Sequence, residues 1–162
     1  MTETEMKLRD EATQMKLALA HMTDDEVVCS CVNSYISLAR SVTFVMQRES
    51  ADHPELKAWY KNRMALLKES PLLRFFNASR IYSIHKGVVV PVAHSAPIHD
   101  FKINGVLQPP SERTMTFMRF DGIEEFIPSS SGGVFRLCEE YFVVLNTLVG
   151  EWLAKRNALR IQ

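Results

Sequence analysis

A chain of 162 residues with 46% hydrophobic content is long enough for one domain with a real core and short for two, so one domain over 1–162 is expected. Its nineteen basic and nineteen acidic residues cancel, which excludes a global field drawing it to nucleic acid or an anionic membrane. No apolar run approaches the roughly 20 residues of a bilayer span. The N-terminus, with Glu3, Glu5 and Lys7 interleaved, is neither a signal h-region nor an Arg-rich transit peptide. A cytoplasmic, soluble protein without a membrane partner is therefore expected.

Leu8, Ala12, Met15, Leu19 and Met22 alternate steps of four and three, with Lys7, Arg9, Asp10, Glu11 and Lys16 between them. This predicts an amphipathic first helix whose narrow seam packs on its own domain or on a second copy. Thr23-Asp-Asp-Glu26 reads as a capping box that starts a second helix running to about Glu49. Val28, Cys31, Val32, Tyr35, Leu38, Ala39, Val42, Val45 and Met46 form its broad apolar face, which Ile36 and Phe44 widen, so it is the central helix. Arg40 and Ser41 interrupt that surface. Arg40 is either a snorkelling arginine paired with a carboxylate or a phosphate contact near Arg80.

Cys29, Cys31 and Cys138 are odd in number and in apolar surroundings, which reads as structural thiols rather than a disulfide framework. Asp52-His-Pro-Glu55 repeats the helix-start pattern, with Asp52 as cap and Pro54 in the first turn. The third helix ends near Glu69, and Lys57, Lys61, Arg63 and Lys68 make it basic: a solvated face or an RNA flank.

Ser70, Pro71 and Gly87 mark the ends of a fourth helix, Ser70 as cap, Pro71 at the first position and Gly87 beyond the last turn. Leu72, Phe75, Phe76, Ser79 and Tyr82 should face the core, with Arg74, Asn77 and Arg80 away from it or at its edge. Five residues on a regular helix turn through about 140°, so Arg80 and His85 of one chain diverge. They form one site only if the last turn loosens or a second copy comes alongside, which predicts a homodimer.

Residues 88–128 read as a small antiparallel β excursion: Val88 to Pro91 is β-branched, His94 to Asp100 loop-like, and Phe101 to Leu107 a strand pair around Asn104-Gly105. Thr114 to Phe120 is strand-like, and Ile123 to Ile127 is its expected partner. Pro128-Ser-Ser-Ser-Gly-Gly133 is a hinge offering a serine cap, after which an apolar last helix should pack on the central one.

Arg80-Ile-Tyr-Ser-Ile-His85 resembles the Arg-x4–6-His motif of HEPN domains (higher eukaryote and prokaryote nucleotide-binding). These are small helical modules, many of which are metal-independent RNases acting as dimers. The resemblance implies a mainly α fold: a HEPN-like antiparallel bundle of about five helices with the β excursion before the last. It implies an endoribonuclease leaving 2′,3′-cyclic phosphate ends, in a defence or toxin–antitoxin setting. Imidazole suits proton transfer and guanidinium suits a phosphate, so His85 would be the acid or base and Arg80 the clamp. Asn77, Tyr82, Ser83 and Arg40 would hold the substrate.

Ile81 stands where active members usually carry a polar residue, often Asn, which favours the alternative: a catalytically silent module that binds a protein partner. His94 and His99 have no partner at ligand spacing, and no phosphate-cradling glycine loop or nucleophile elbow occurs, so neither a metal nor a cofactor is expected.

Overall fold

Two long helices, α2 (Asp25–Glu49) and α5 (Val134–Ala158), form the spine of the computed structural model. They run in the same direction: the Tyr35 hydroxyl donates to the Cys138 carbonyl at 2.7 Å near one end, and Trp152 Nε1 donates to Ser50 Oγ at 3.0 Å near the other. The structure describes residues 1–21, 24–97, 102–103, 106–107, 114–128 and 133–161. The fold is mainly helical with a small antiparallel β element before the last helix, as expected from the sequence.

α1 (Glu3–Ala20) lies antiparallel to α2. Its start meets the end of α2, where the Glu49 carboxylate accepts from the backbone N–H of Glu3 at 3.3 Å and of Thr4 at 3.2 Å. Its far end packs near Cys31 and Val32 through Ala18. The buried stripe of α1 differs from the expected seam. Thr4, Glu11 and Ala18 are buried, with Leu8 and Met15 packed against the core, whereas Leu19 is exposed. The steps 8–11–15–18 and 8–12–15–19 suit a helix equally well, so hydropathy misplaced Glu11 on the polar face; Met22 lies outside the described residues.

Helix starts also differ in detail. Asp24, not Thr23, is the N-cap of α2, its carboxylate accepting from Val27 N at 3.1 Å; Thr23 lies outside the described residues. α3 (Pro54–Leu67) starts after His53, not Asp52, and has no capping side-chain hydrogen bond; Pro54 suits the first helical position because it has no N–H to leave unpaired there. α4 (Pro71–His85) starts likewise after Ser70. α5 starts after Gly133 without a serine cap; residues 129–132 lie outside the described residues.

β1 (Val92–Pro97) pairs antiparallel with β4 (Thr114–Arg119), Val92 opposite Arg119 and Pro97 opposite Thr114. His94 is thus in a strand opposite Phe117 rather than in a loop; His99 lies outside the described residues. β2 (Lys102–Ile103) pairs with β3 (Val106–Leu107). Residues 123–127 are not the partner of β4. Gly122, at φ 74°, opens a 3-10 turn over Ile123–Glu125. Ile123, Phe126 and Ile127 are spaced by three and four, so a turn, not alternation, puts them on the core.

The core has two parts. One is aromatic: Phe75, Phe76 and Phe120 join Tyr35 and Tyr141, with Phe76 stacked on Tyr141 at 4.3 Å between centroids. The other gathers Val42, Met46, Leu56, Tyr60, Leu148 and Trp152, and ties α3 to α2 and α5. The three cysteines are free thiols, Cys31 and Cys138 buried and Cys29 half-buried.

Candidate functional site

Along α2, Ser37, Arg40, Ser41 and Phe44 are spaced by three, one and three, so they lie on one face of the helix. Opposite them α4 presents Arg80 and Ile84, one turn apart. These six residues line an open groove of about 450 Å³. Two guanidiniums and two hydroxyls share it with the exposed Phe44 and Ile84. Among the described residues, no carboxylate lines it.

Arg40 Nη1 donates to Thr43 Oγ1 at 2.7 Å. Its charge also reaches the Tyr60 hydroxyl, whose pKa is raised by burial and partly brought back by Arg40. Arg40 makes no ion pair among the described residues. Arg80 is half-buried; its Nε is shielded from solvent and has no hydrogen-bond acceptor. It too has no ion pair among the described residues. Both arginines act on one buried group, the Tyr141 hydroxyl: burial and then Glu11 raise its pKa, while Arg40 and Arg80 pull it down. The two cations thus line one groove and both bear on one buried hydroxyl. Placing like charges in a partly desolvated groove is unfavourable unless an anion joins them.

The other expected residues are not gathered in this groove. α4 remains helical through His85, without the loosened last turn that would swing it toward Arg80. His85 is exposed on another face and does not line the groove. Asn77 is exposed, and so is Tyr82, which was expected to face the core. Ser83 is half-buried, its hydroxyl 3.5 Å from Asn33 Oδ1. Lys86 N and Gly87 N both reach Tyr82 O, at 2.8 and 3.3 Å, and Gly87 turns the chain with φ 138°.

Asn33, Ser37, Phe44 and Ile84 were not singled out as site residues from the sequence. The signal for Ser37 was present: Ser37, Arg40 and Ser41 put polar groups at one-turn spacing in an apolar helix. Phe44 offered none, since its apolarity read as core.

Fold and groove together define a mainly helical protein in which α2 and α4 frame a doubly cationic cleft with no carboxylate among the described residues that line it. Residues 1–89, more than half of the chain, match the family model described as Bacteriophage lambda protein ea47, and the protein belongs to that family. The matched segment spans α1 to α4 and contains all six groove residues. No curated protein and no solved structure matches the chain. Among the described residues, no helix is long and apolar enough to cross a membrane.

Proposed function

We propose that this is a HEPN-like RNA-binding protein that grips a backbone phosphate between Arg40 and Arg80. The observation that carries the reading is the pair of guanidiniums in one groove, with no lining carboxylate and no acceptor for Arg80 Nε among the described residues. A phosphodiester supplies the missing charge and acceptors. Phe44 offers a ring on which an unpaired base can stack, which suits single-stranded RNA.

Cleavage, in this reading, belongs to a homodimer. A second copy with its α4 alongside would bring the His85 of one chain to the Arg80 of the other. One imidazole takes the 2′-OH proton as the 2′-oxygen attacks phosphorus. The bond from phosphorus to the 5′-oxygen breaks, and that oxygen takes a proton from the other imidazole. The products are a 2′,3′-cyclic phosphate and a 5′-OH, with charge at phosphorus held by arginine and no metal needed. The resemblance of Arg80 to His85 to the HEPN motif supports this step, as it does a cytoplasmic defence or toxin–antitoxin role.

A second reading rests on a different observation. Ile81, Tyr82, Ile84, Val88 and Val90 are all exposed along the end of α4 and the segment after it. Such an apolar strip suits a silent module that holds a protein partner.

The test is incubation with a mixed RNA pool in EDTA beside a His85→Ala variant of the same oligomeric state and thermal stability. Cleavage by the parent alone supports the nuclease. Binding without cleavage, lost in Arg80→Ala, leaves the groove as a docking site. Neither binding nor cleavage overturns the RNA reading in favour of the protein partner.

A further inference from the structure

Glu11 lies in the middle of α1 with no solvent exposure, and neither carboxyl oxygen has a hydrogen-bond partner among the described residues. The titratable groups facing it come from both helices against which α1 packs: Tyr35 from α2, and Cys138 and Tyr141 from α5. None of them is a cation. Arg40 and Arg80 act on Tyr141, and Arg156 is engaged with Glu49 at 3.7 Å at the start of α1. On α1 itself, Lys7 pairs with Asp10 at 3.6 Å on the solvent side. The Tyr35 hydroxyl gives its one proton to the Cys138 carbonyl at 2.7 Å; turned toward Glu11 instead, it would offset the cost of burying the charge only in part.

An ionised carboxylate in this position would be buried with at most one shared hydroxyl, that of Tyr35, as donor and with no counter-charge facing it among the described residues. A neutral acid removes the difficulty, since it carries a proton of its own and the Tyr35 oxygen can accept it. We infer that docking of α1 on α2 and α5 is proton-linked: the helix docks with Glu11 as the neutral acid and gives up that proton when it opens. Opening exposes Tyr35, Cys138 and the seam between α2 and α5. The Glu49 carboxylate, holding the first turn through the Glu3 and Thr4 amides, makes the start of α1 a tether about which the rest can leave.

Burial raises the Glu11 pKa from 4.5 to about 8. Between those values the docked helix holds a proton that the opened helix has lost, so docking weakens as pH rises through this window. The dependence is about tenfold per pH unit, and it levels off above the docked value, where both states are ionised.

The experiment is amide hydrogen exchange of the full chain between pH 5 and 9, in the parent and in Glu11→Gln, an isostere of the neutral acid. Comparing the two at each pH cancels the intrinsic pH dependence of exchange. The parent-to-variant rate ratio across residues 8–20 is expected to climb about tenfold per unit and flatten near pH 8. A flat ratio overturns the inference. An equal rise in α3 would show opening only with the whole fold and would overturn α1 as a separately released element. Carbon-13 titration of the Glu11 carboxyl in the parent needs no variant: a midpoint near pH 8 supports the inference, and one below pH 5 overturns it.

Discussion

Asn33 holds Val89 by both backbone groups, donating from Nδ2 to the Val89 carbonyl at 2.7 Å and accepting from the Val89 amide at 2.9 Å. The side-chain amide thus acts as a one-residue strand partner from the middle of a helix. Cys29 Sγ lies 3.5 Å from the same carbonyl. This clip sets the path by which the chain leaves α4 after His85 and Gly87. Asn33→Ala should cost about 2 kcal/mol, two half-buried hydrogen bonds at about 1 kcal/mol each. Urea unfolding measures the cost, and faster exchange of the Val89 amide locates it.

Trp152 closes the second core cluster and donates to Ser50 Oγ, which in turn donates to the Met46 carbonyl at 2.7 Å. Trp152→Ala should destabilise by about 3–5 kcal/mol through the cavity it leaves. Trp152→Phe keeps most of the apolar volume and drops the donor, so about 1–2 kcal/mol is expected. Chemical denaturation of both variants separates the two contributions.

Glu49 joins three helices: it accepts from the first amides of α1, sits at the end of α2 and faces Arg156 of α5 at 3.7 Å. Glu49→Gln keeps the acceptor and loses the charge; Glu49→Ala loses both. The alanine variant should cost about 1–2 kcal/mol and the glutamine variant less, as for an N-terminal cap near the positive end of a helix dipole. Thermal melts followed by circular dichroism test the order.

Arg40 and Arg80 should weaken RNA binding when changed to alanine, with little change in the melting temperature. Because the two share one phosphate, either substitution lowers the salt dependence of binding by up to that phosphate's share, a slope change of at most about 0.7 for single strands. Fluorescence anisotropy across a salt series reads the slope. An unchanged slope in both variants would place the RNA elsewhere.

Much of the fold is legible in local chemistry. Pro71 and Gly87 bound α4 because one lacks an N–H and the other accepts a positive φ, and neither property needs tertiary contacts. The apolar faces of α2 and α5 are similarly dense enough to specify central helices before any packing is known. Strand partners are less legible: Thr114–Arg119 is plain as a strand, but its pairing with Val92–Pro97 depends on a connection between distant segments.

What the sequence by itself determined is the mainly helical class and the five helical stretches. Periodicity carries that information because each residue's place on a helix depends only on its neighbours. Only the tertiary structure decided which face of α1 is buried, since two stripes one residue apart are equally regular and one of them takes Glu11 into the core. It also decided the groove. Arg40 and Arg80 are forty residues apart in the chain, and what brings them to one groove is the packing of α2 against α4, which no local pattern encodes.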